Sequence, residues 1–130
     1  MNDLPIRCAD KTELSRTLIA TGFPYVREDL PLLMRRLETV LNHCADIRRI
    51  GSAALDICWV ACGRLDGYYE SVQPWDFAAA QLIAREAGAV FGHIDQLDQE
   101  INPELCGDNL VIASPKIFPL LQSILRQVDH

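Results

Sequence analysis

Two carboxylates and one small-residue helix start carry the residue types and spacing of this chain that suit chemistry. Gly51-Ser52-Ala53 stands between a β-type run (Ile47 to Ile50) and an apolar helical stretch that reaches Cys62. A helix start presents backbone N–H groups without partners inside the helix, together with a partial positive charge. Small residues there let a ligand approach the backbone closely. An anionic or hydroxyl-rich ligand fits this place. So does a plainer reading in which Ser52 is an ordinary cap on a tightly packed helix. Asp76 follows Pro74-Trp75 and opens a further helix, where an aspartate serves either as an N-cap or as an oxygen ligand for a hard cation such as magnesium. Glu70 ends a β-type run six residues earlier. The two carboxylates flank one turn, and they either converge on a pocket or remain separate solvated groups.

The elements that must position these residues alternate in type. Thr17 to Ala20 reads as a strand, and a helix follows from near Asp29, with Pro31 in its first turn and Leu33, Leu37, Val40, Leu41 and Cys44 as its buried stripe. The helix capped by Ser52 is apolar on nearly all sides, with Leu55, Cys58, Trp59 and Cys62 on one face and Ile57, Val60 and Ala61 on the other, so it is expected between layers. Leu65 to Glu70 reads as a strand. The helix after Asp76 aligns Phe77, Ala80, Ala84 and Ala87, and Gly88 ends it. Ala89 to Phe91 and Leu110 to Ala113 are β-type runs with an irregular polar segment between them. Pro115 opens a last helix with Phe118, Leu121, Ile124, Leu125 and Val128 on one side. Alternation of this kind predicts an α/β fold, a layered sheet covered by helices, over a single domain spanning 1–130.

Composition narrows the function classes. The 130 residues are 49% hydrophobic and 23% charged, as in a folded soluble domain, and the net charge of -6 makes nucleic acid an unlikely partner. Arg35-Arg36 and Arg48-Arg49 are read as solvated. No apolar run approaches the roughly 20 residues that cross a bilayer, and Met1 to Asp10 has no signal-peptide core, so a cytoplasmic location is expected. The five cysteines include no CxxC pair, which argues against a disulfide framework or a zinc site. His43, His93 and His130 have no motif partner.

The order of these features resembles the C-terminal signature of the inositol monophosphatase family, especially its bacterial members. The run from Gly51 to Gly88 reads GSAALDICWVACGRLDGYYESVQPWDFAAAQLIAREAG, with the Gly-Ser-Ala helix start, the Val-Ala-x-Gly-Arg-x-Asp-Gly-Tyr segment, Tyr-Glu, Trp-Asp and Glu-Ala-Gly in the family's order. Ala20 to Tyr25 and Gly107 to Leu110 followed by Ser114-Pro115 are similar to the loop that opens the family's C-terminal domain and to its later strand and last helix start. The resemblance implies the C-terminal α/β half of that fold and a phosphatase acting on a sugar or inositol phosphate. In it magnesium activates water for in-line attack on a phosphate monoester. Residue by residue, it implies Asp76 as a metal ligand, Glu70 as the acceptor for substrate hydroxyls, and Gly51, Ser52 and Ala53 as substrate-binding residues at the helix start. It assigns no catalytic base to this chain.

The departures are as informative as the matches. The family's other metal ligands come from a Gly-Glu-Glu segment and an Asp-Pro-x-Asp-Gly-Thr segment, and neither occurs here. Leu65-Asp66-Gly67 lacks the preceding Asp-Pro. Glu70 and Asp76 stand closer in sequence than is usual in the family, and Ala80 and Ala89 occupy places where glycine is common. The chain is therefore expected to be inactive by itself, and to form a homodimer or to complement another chain. The alternative is a non-catalytic interaction or assembly module derived from the family, some of whose bacterial members are linked to transcription complexes.

Overall fold

The computed structural model describes residues 6–22, 30–72, 74–97, 99–102, 106 and 108–130, with the backbone alone for 74–76. A short 3-10 turn, Leu14–Arg16, leads into β1 (Leu18–Thr21). The chain continues through α1 (Leu30–His43), β2 (Asp46–Arg48), α2 (Ala53–Ala61), β3 (Gly67–Glu70), α3 (Pro74–Glu86), β4 (Val90–His93), β5 (Leu110–Ala113) and α4 (Phe118–Asp129). The strands form one sheet in the order β2-β1-β3-β5-β4. β1 is parallel to both β2 and β3, and β5 is antiparallel to both β3 and β4.

Side chains alternate across a strand, and this alternation divides the core into two clusters. Ala20, Tyr68, Leu110 and Ile112 face α2 and α3, where Ile57, Val60, Phe77 and Ala84 cover them. Ile19, Tyr69, Val111 and Ala113 face α1 and α4, where Val40, Leu121 and Leu125 cover them. The sheet is thus sandwiched between two helical layers, α1 packed on α4 and α2 packed on α3, in agreement with the expected layered α/β class. Helices α2 and α3 close alike. The Arg64 N–H donates to Trp59 O (2.9 Å) and that of Gly63 to Val60 O (3.2 Å), while Ala89 donates to Ala84 O (2.9 Å) and Gly88 to Arg85 O (3.0 Å). This is the paired pattern that satisfies the last carbonyls of a helix.

Several sequence expectations need correction. α3 begins at Pro74, so Asp76 is its third residue and does not open it; proline suits the first helical position because no donor is needed there. α4 begins at Phe118, and 115–117 form a turn closed by the Ile117 N–H on Ser114 O (3.1 Å). Leu65 and Asp66 precede the strand; the buried Asp66 instead accepts the Leu18 N–H (2.7 Å) and Lys11 Nζ (2.9 Å). Asp29 lies outside the described residues. In α1 the expected apolar stripe is displaced: Leu41 is half-exposed and Arg36 is buried. Arg36 is not solvated, because its Nε and Nη2 donate to the two carboxylate oxygens of Asp129 on α4 at 2.9 and 2.7 Å. All five cysteines are free and half-buried.

The Arg36–Asp129 fork joins the two helices of one layer with both side chains nearly dry, at 5% and 10% exposure. Removing one member of such a pair leaves a buried charge uncompensated. Arg36→Ala is expected to lower the unfolding free energy by about 3 kcal/mol, read from urea midpoints at an unchanged m-value. A loss below about 1 kcal/mol would show the pair to behave as a surface bridge.

Candidate functional site

The site grows from the carboxyl ends of β1 and β3, which lie side by side and run parallel. After β1 the chain goes to α1 on one face of the sheet, and after β3 it goes to α3 on the other. Where neighbouring parallel strands send the chain to opposite faces, a crevice opens at their carboxyl ends, and open α/β sheets bind ligands there. At this switch point Thr21 ends one strand, with Gly22 just after it, and Glu70 ends the other.

Glu70 is fixed by its neighbours. It shares a face of β3 with Tyr68, two residues earlier, and the fully buried Tyr68 hydroxyl donates to Glu70 Oε1 at 2.6 Å. The carboxylate lies directly over the Gly22 α-carbon. A Cβ built on Gly22 would sit 2.8 Å from Glu70 Cδ and closer still to Oε1. Gly22 is thus the residue type that lets the carboxylate seat against the backbone.

Ser52 is the N-cap of α2. Its backbone is extended (φ -139°, ψ 111°) and its Oγ accepts the Leu55 N–H at 3.2 Å. Gly51 just before it has φ 90°, a conformation that glycine adopts at no steric cost, with open space where a Cβ would stand. Ser52 and Gly51 are exposed, and Ala53 is half-buried against the α2–α3 cluster. For Asp76 the helix backbone is described, and its side chain lies outside the described residues.

One residue at this corner escaped the sequence reading. Asp56, in the first turn of α2, is 1% exposed. Among the described residues its Oδ1 has no hydrogen-bond partner, and burial, with the negative charge of Glu70 second, pushes its carboxyl up to about 7. The signal available in the sequence was a lone aspartate inside the apolar run Leu55-Asp56-Ile57. The histidines have local partners. His43 Nδ1 lies 2.7 Å from Thr39 O, the buried His93 has Nε2 2.7 Å from Cys106 O, and His130 Nε2 lies 2.9 Å from Asp95 Oδ1. Among the described residues no group of three or more His, Cys, Asp and Glu side chains is arranged to hold a metal ion. No helix is long and apolar enough to cross a membrane.

This combination of layered sheet and helix-start signature has counterparts among known proteins. The chain belongs to the inositol monophosphatase family, whose family model matches residues 1–130. Its curated relatives include proteins named Nus factor SuhB. The one from Pasteurella multocida is 41% identical over 136 residues, covering 99% of this chain and 46% of that protein. The one from Vibrio cholerae is 45% identical over 131 residues, covering 95% and 46%. Among solved structures, the inositol monophosphatase from Anabaena (Nostoc) sp. PCC 7120 superposes with a TM-score of 0.85 at 35% identity, over 97% of this chain and 49% of that one. Mycobacterium tuberculosis SuhB does so with a TM-score of 0.80 at 42% identity, over 95% and 46%. The chain spans about half the length of the curated relatives it matches.

The seating of Glu70 on Gly22 is open to a double-mutant test. Gly22→Ala should cost about 1–2 kcal/mol, because the new methyl must push the carboxylate off its place. In a Glu70→Ala background the same change should cost less than about 0.5 kcal/mol. Equal costs in both backgrounds, by chemical denaturation, would show that the two residues do not meet.

Proposed function

We propose that this chain is the substrate-facing, C-terminal part of a magnesium-dependent phosphomonoesterase that hydrolyses a sugar or inositol phosphate, and that it is inactive alone. The observation that carries the reading is the position of Glu70. It is an acceptor-only carboxylate held by Tyr68 at the crevice between β1 and β3, in a chain of the inositol monophosphatase family. Such a carboxylate accepts hydrogen bonds from ring hydroxyls. Ser52 and Ala53 offer backbone N–H groups at the start of α2, where a polar ring or an anion is stabilised by the helix terminus. Gly51 makes the turn that exposes them.

In this reading Asp76 contributes a single oxygen ligand to magnesium. The described residues do not build a magnesium site by themselves, and Gly-Glu-Glu and Asp-Pro-x-Asp-Gly-Thr segments are absent from the sequence. When bound, magnesium supplies an activated water and neutralises the leaving oxygen. What this chain's own residues contribute is the grip on the polyol: Glu70 orients the ring, and the α2 start fixes its approach. The missing ligands would come from a complementing chain that carries those segments, with 1–130 acting as one domain.

A second reading is favoured by the names of the relatives and by exposed apolar side chains. Several of them are named Nus factor SuhB. α2 exposes Leu55 (40%), and α3 exposes Leu82 (52%) and Ile83 (41%); exposed apolar side chains mark interaction surfaces where they adjoin. On this reading the chain is a non-catalytic assembly module, and partners other than small molecules, nucleic acid among them, become candidates.

Amide chemical shifts during titration with myo-inositol monophosphate and magnesium separate the two. The phosphatase reading expects millimolar binding that moves the signals of Gly22, Gly51 to Ala53 and Glu70, is lost in Glu70→Ala, and is accompanied by no phosphate release. An undisturbed crevice at saturating ligand favours the module. Rapid hydrolysis by the purified chain contradicts the inactivity proposed here.

A further inference from the structure

A second carboxylate lies behind the first, and the fold places the two on the same corner. The backbone N–H of Asp56 donates to Ser52 O at 2.9 Å, so Asp56 sits one turn below the capping serine on the same stripe of α2. That stripe faces the sheet. Asp56, Ile57, Val60 and Ala61 are all buried, while Leu55 is exposed. On β3, Glu70 shares its face with Tyr68, and Tyr68 packs in the same cluster as Ile57 and Val60. Asp56 and Glu70 therefore both face the interface between α2 and the sheet, Asp56 from the buried side, and the Glu70 charge reaches it there.

Among the described residues no cation is placed against Asp56. β1 brings Ala20 to this face, and β3 brings Tyr68, whose hydroxyl is committed to Glu70, and Glu70 itself. Among the described residues of α3 the buried polar one is the neutral Gln81, whose Oε1 is likewise without a partner among them. Asp76 stands at the start of α3, and its side chain is outside the described residues. Two close carboxylates whose environments differ divide their roles, the drier one keeping the proton.

We propose that Asp56 is a positioning residue that acts through Glu70. Carrying its proton, it leaves the negative charge on Glu70 and lets that carboxylate stay seated between Tyr68 and Gly22; ionised, it drives Glu70 outward. The consequence for ligands rests on the reading of Glu70 as the hydroxyl acceptor: polyol affinity weakens as pH rises through neutrality. The sign for stability is the same. The folded-state value, about 7, lies above the ordinary carboxylate value of 3.8. The folded chain therefore binds the extra proton between these values, and stability falls as pH rises from about 4 to about 7.

Carboxyl-carbon NMR of the full chain, with no ligand present, tests the coupling. The Asp56 signal should titrate near neutrality, and the Glu70 signal should show a second inflection at the same pH. Asp56→Asn should abolish that inflection and flatten the decline in stability, while Glu70→Gln should lower the Asp56 midpoint. If Asp56→Asn does not fold, Glu70→Gln still reads the pair directly. An Asp56 midpoint in the ordinary carboxylate range, or one unmoved by Glu70→Gln, overturns the proposal. A coupled titration without any response of the crevice to inositol phosphate would leave the pair standing and refute the ligand reading alone.

Discussion

The register of β3 is the constraint on which the rest of the molecule depends. This strand is hydrogen-bonded on both edges, parallel to β1 and antiparallel to β5, and helices cover both of its faces. Its two tyrosines point in opposite directions, Tyr68 into the α2–α3 layer and Tyr69 into the α1–α4 layer. Strand side chains repeat with period two, so a slip of one residue would exchange the tyrosines between layers and turn Glu70 to the wrong face. Burial on both sides makes that slip costly, and this is how an ordinary glutamate comes to be held at a defined place at the mouth of a crevice. Gly22 completes the arrangement by leaving room for the carboxylate against the backbone just after β1.

The two layers treat buried charge differently. Between α1 and α4, Arg36 and Asp129 meet as a two-pronged ion pair, so both charges are compensated and the pair ties the helices together. Tyr69, facing this layer, has its hydroxyl pushed up to about 12, chiefly by burial, and it stays a neutral packing group. Between α2 and the sheet, Asp56 meets no cation among the described residues, and burial with the Glu70 charge favours its protonated form. A structural layer can be assembled from matched charges. The α2 layer holds a buried carboxylate that meets no such match among the described residues, and perturbed groups of this kind are candidates for functional roles.

How much of this was legible in the sequence follows from how local each feature is. The Ser52 cap, the buried Phe77-Ala80-Ala84-Ala87 stripe and the apolar side of α4 depend on short-range patterns, and all three appear in the structure. Glu70 was legible as a strand-end carboxylate. Its seat on Gly22 joins residues 48 positions apart along the chain, and no local pattern announces it. Arg36 was misread because helical periodicity marks apolar positions and cannot show that a partner on α4 will cover a cation. Asp56 was passed over because α2 is apolar on nearly every side, so one polar residue does not alter the reading of its faces. Leu55 shows the converse: it belongs to a face of a helix expected between layers, and it is 40% exposed, because an apolar pattern does not say how much of a helix its own chain covers.

The central claim is that β3 delivers Glu70 to the β1–β3 crevice as the acceptor for a polyol ring. A crystal structure of this chain grown with myo-inositol and magnesium tests it most directly. The account predicts a ring hydroxyl within hydrogen-bonding distance of the Glu70 carboxylate, with the ring resting on the α2 start at Ser52 and Ala53. A ring bound elsewhere, or a Glu70 side chain turned toward the α1–α4 face, would contradict it.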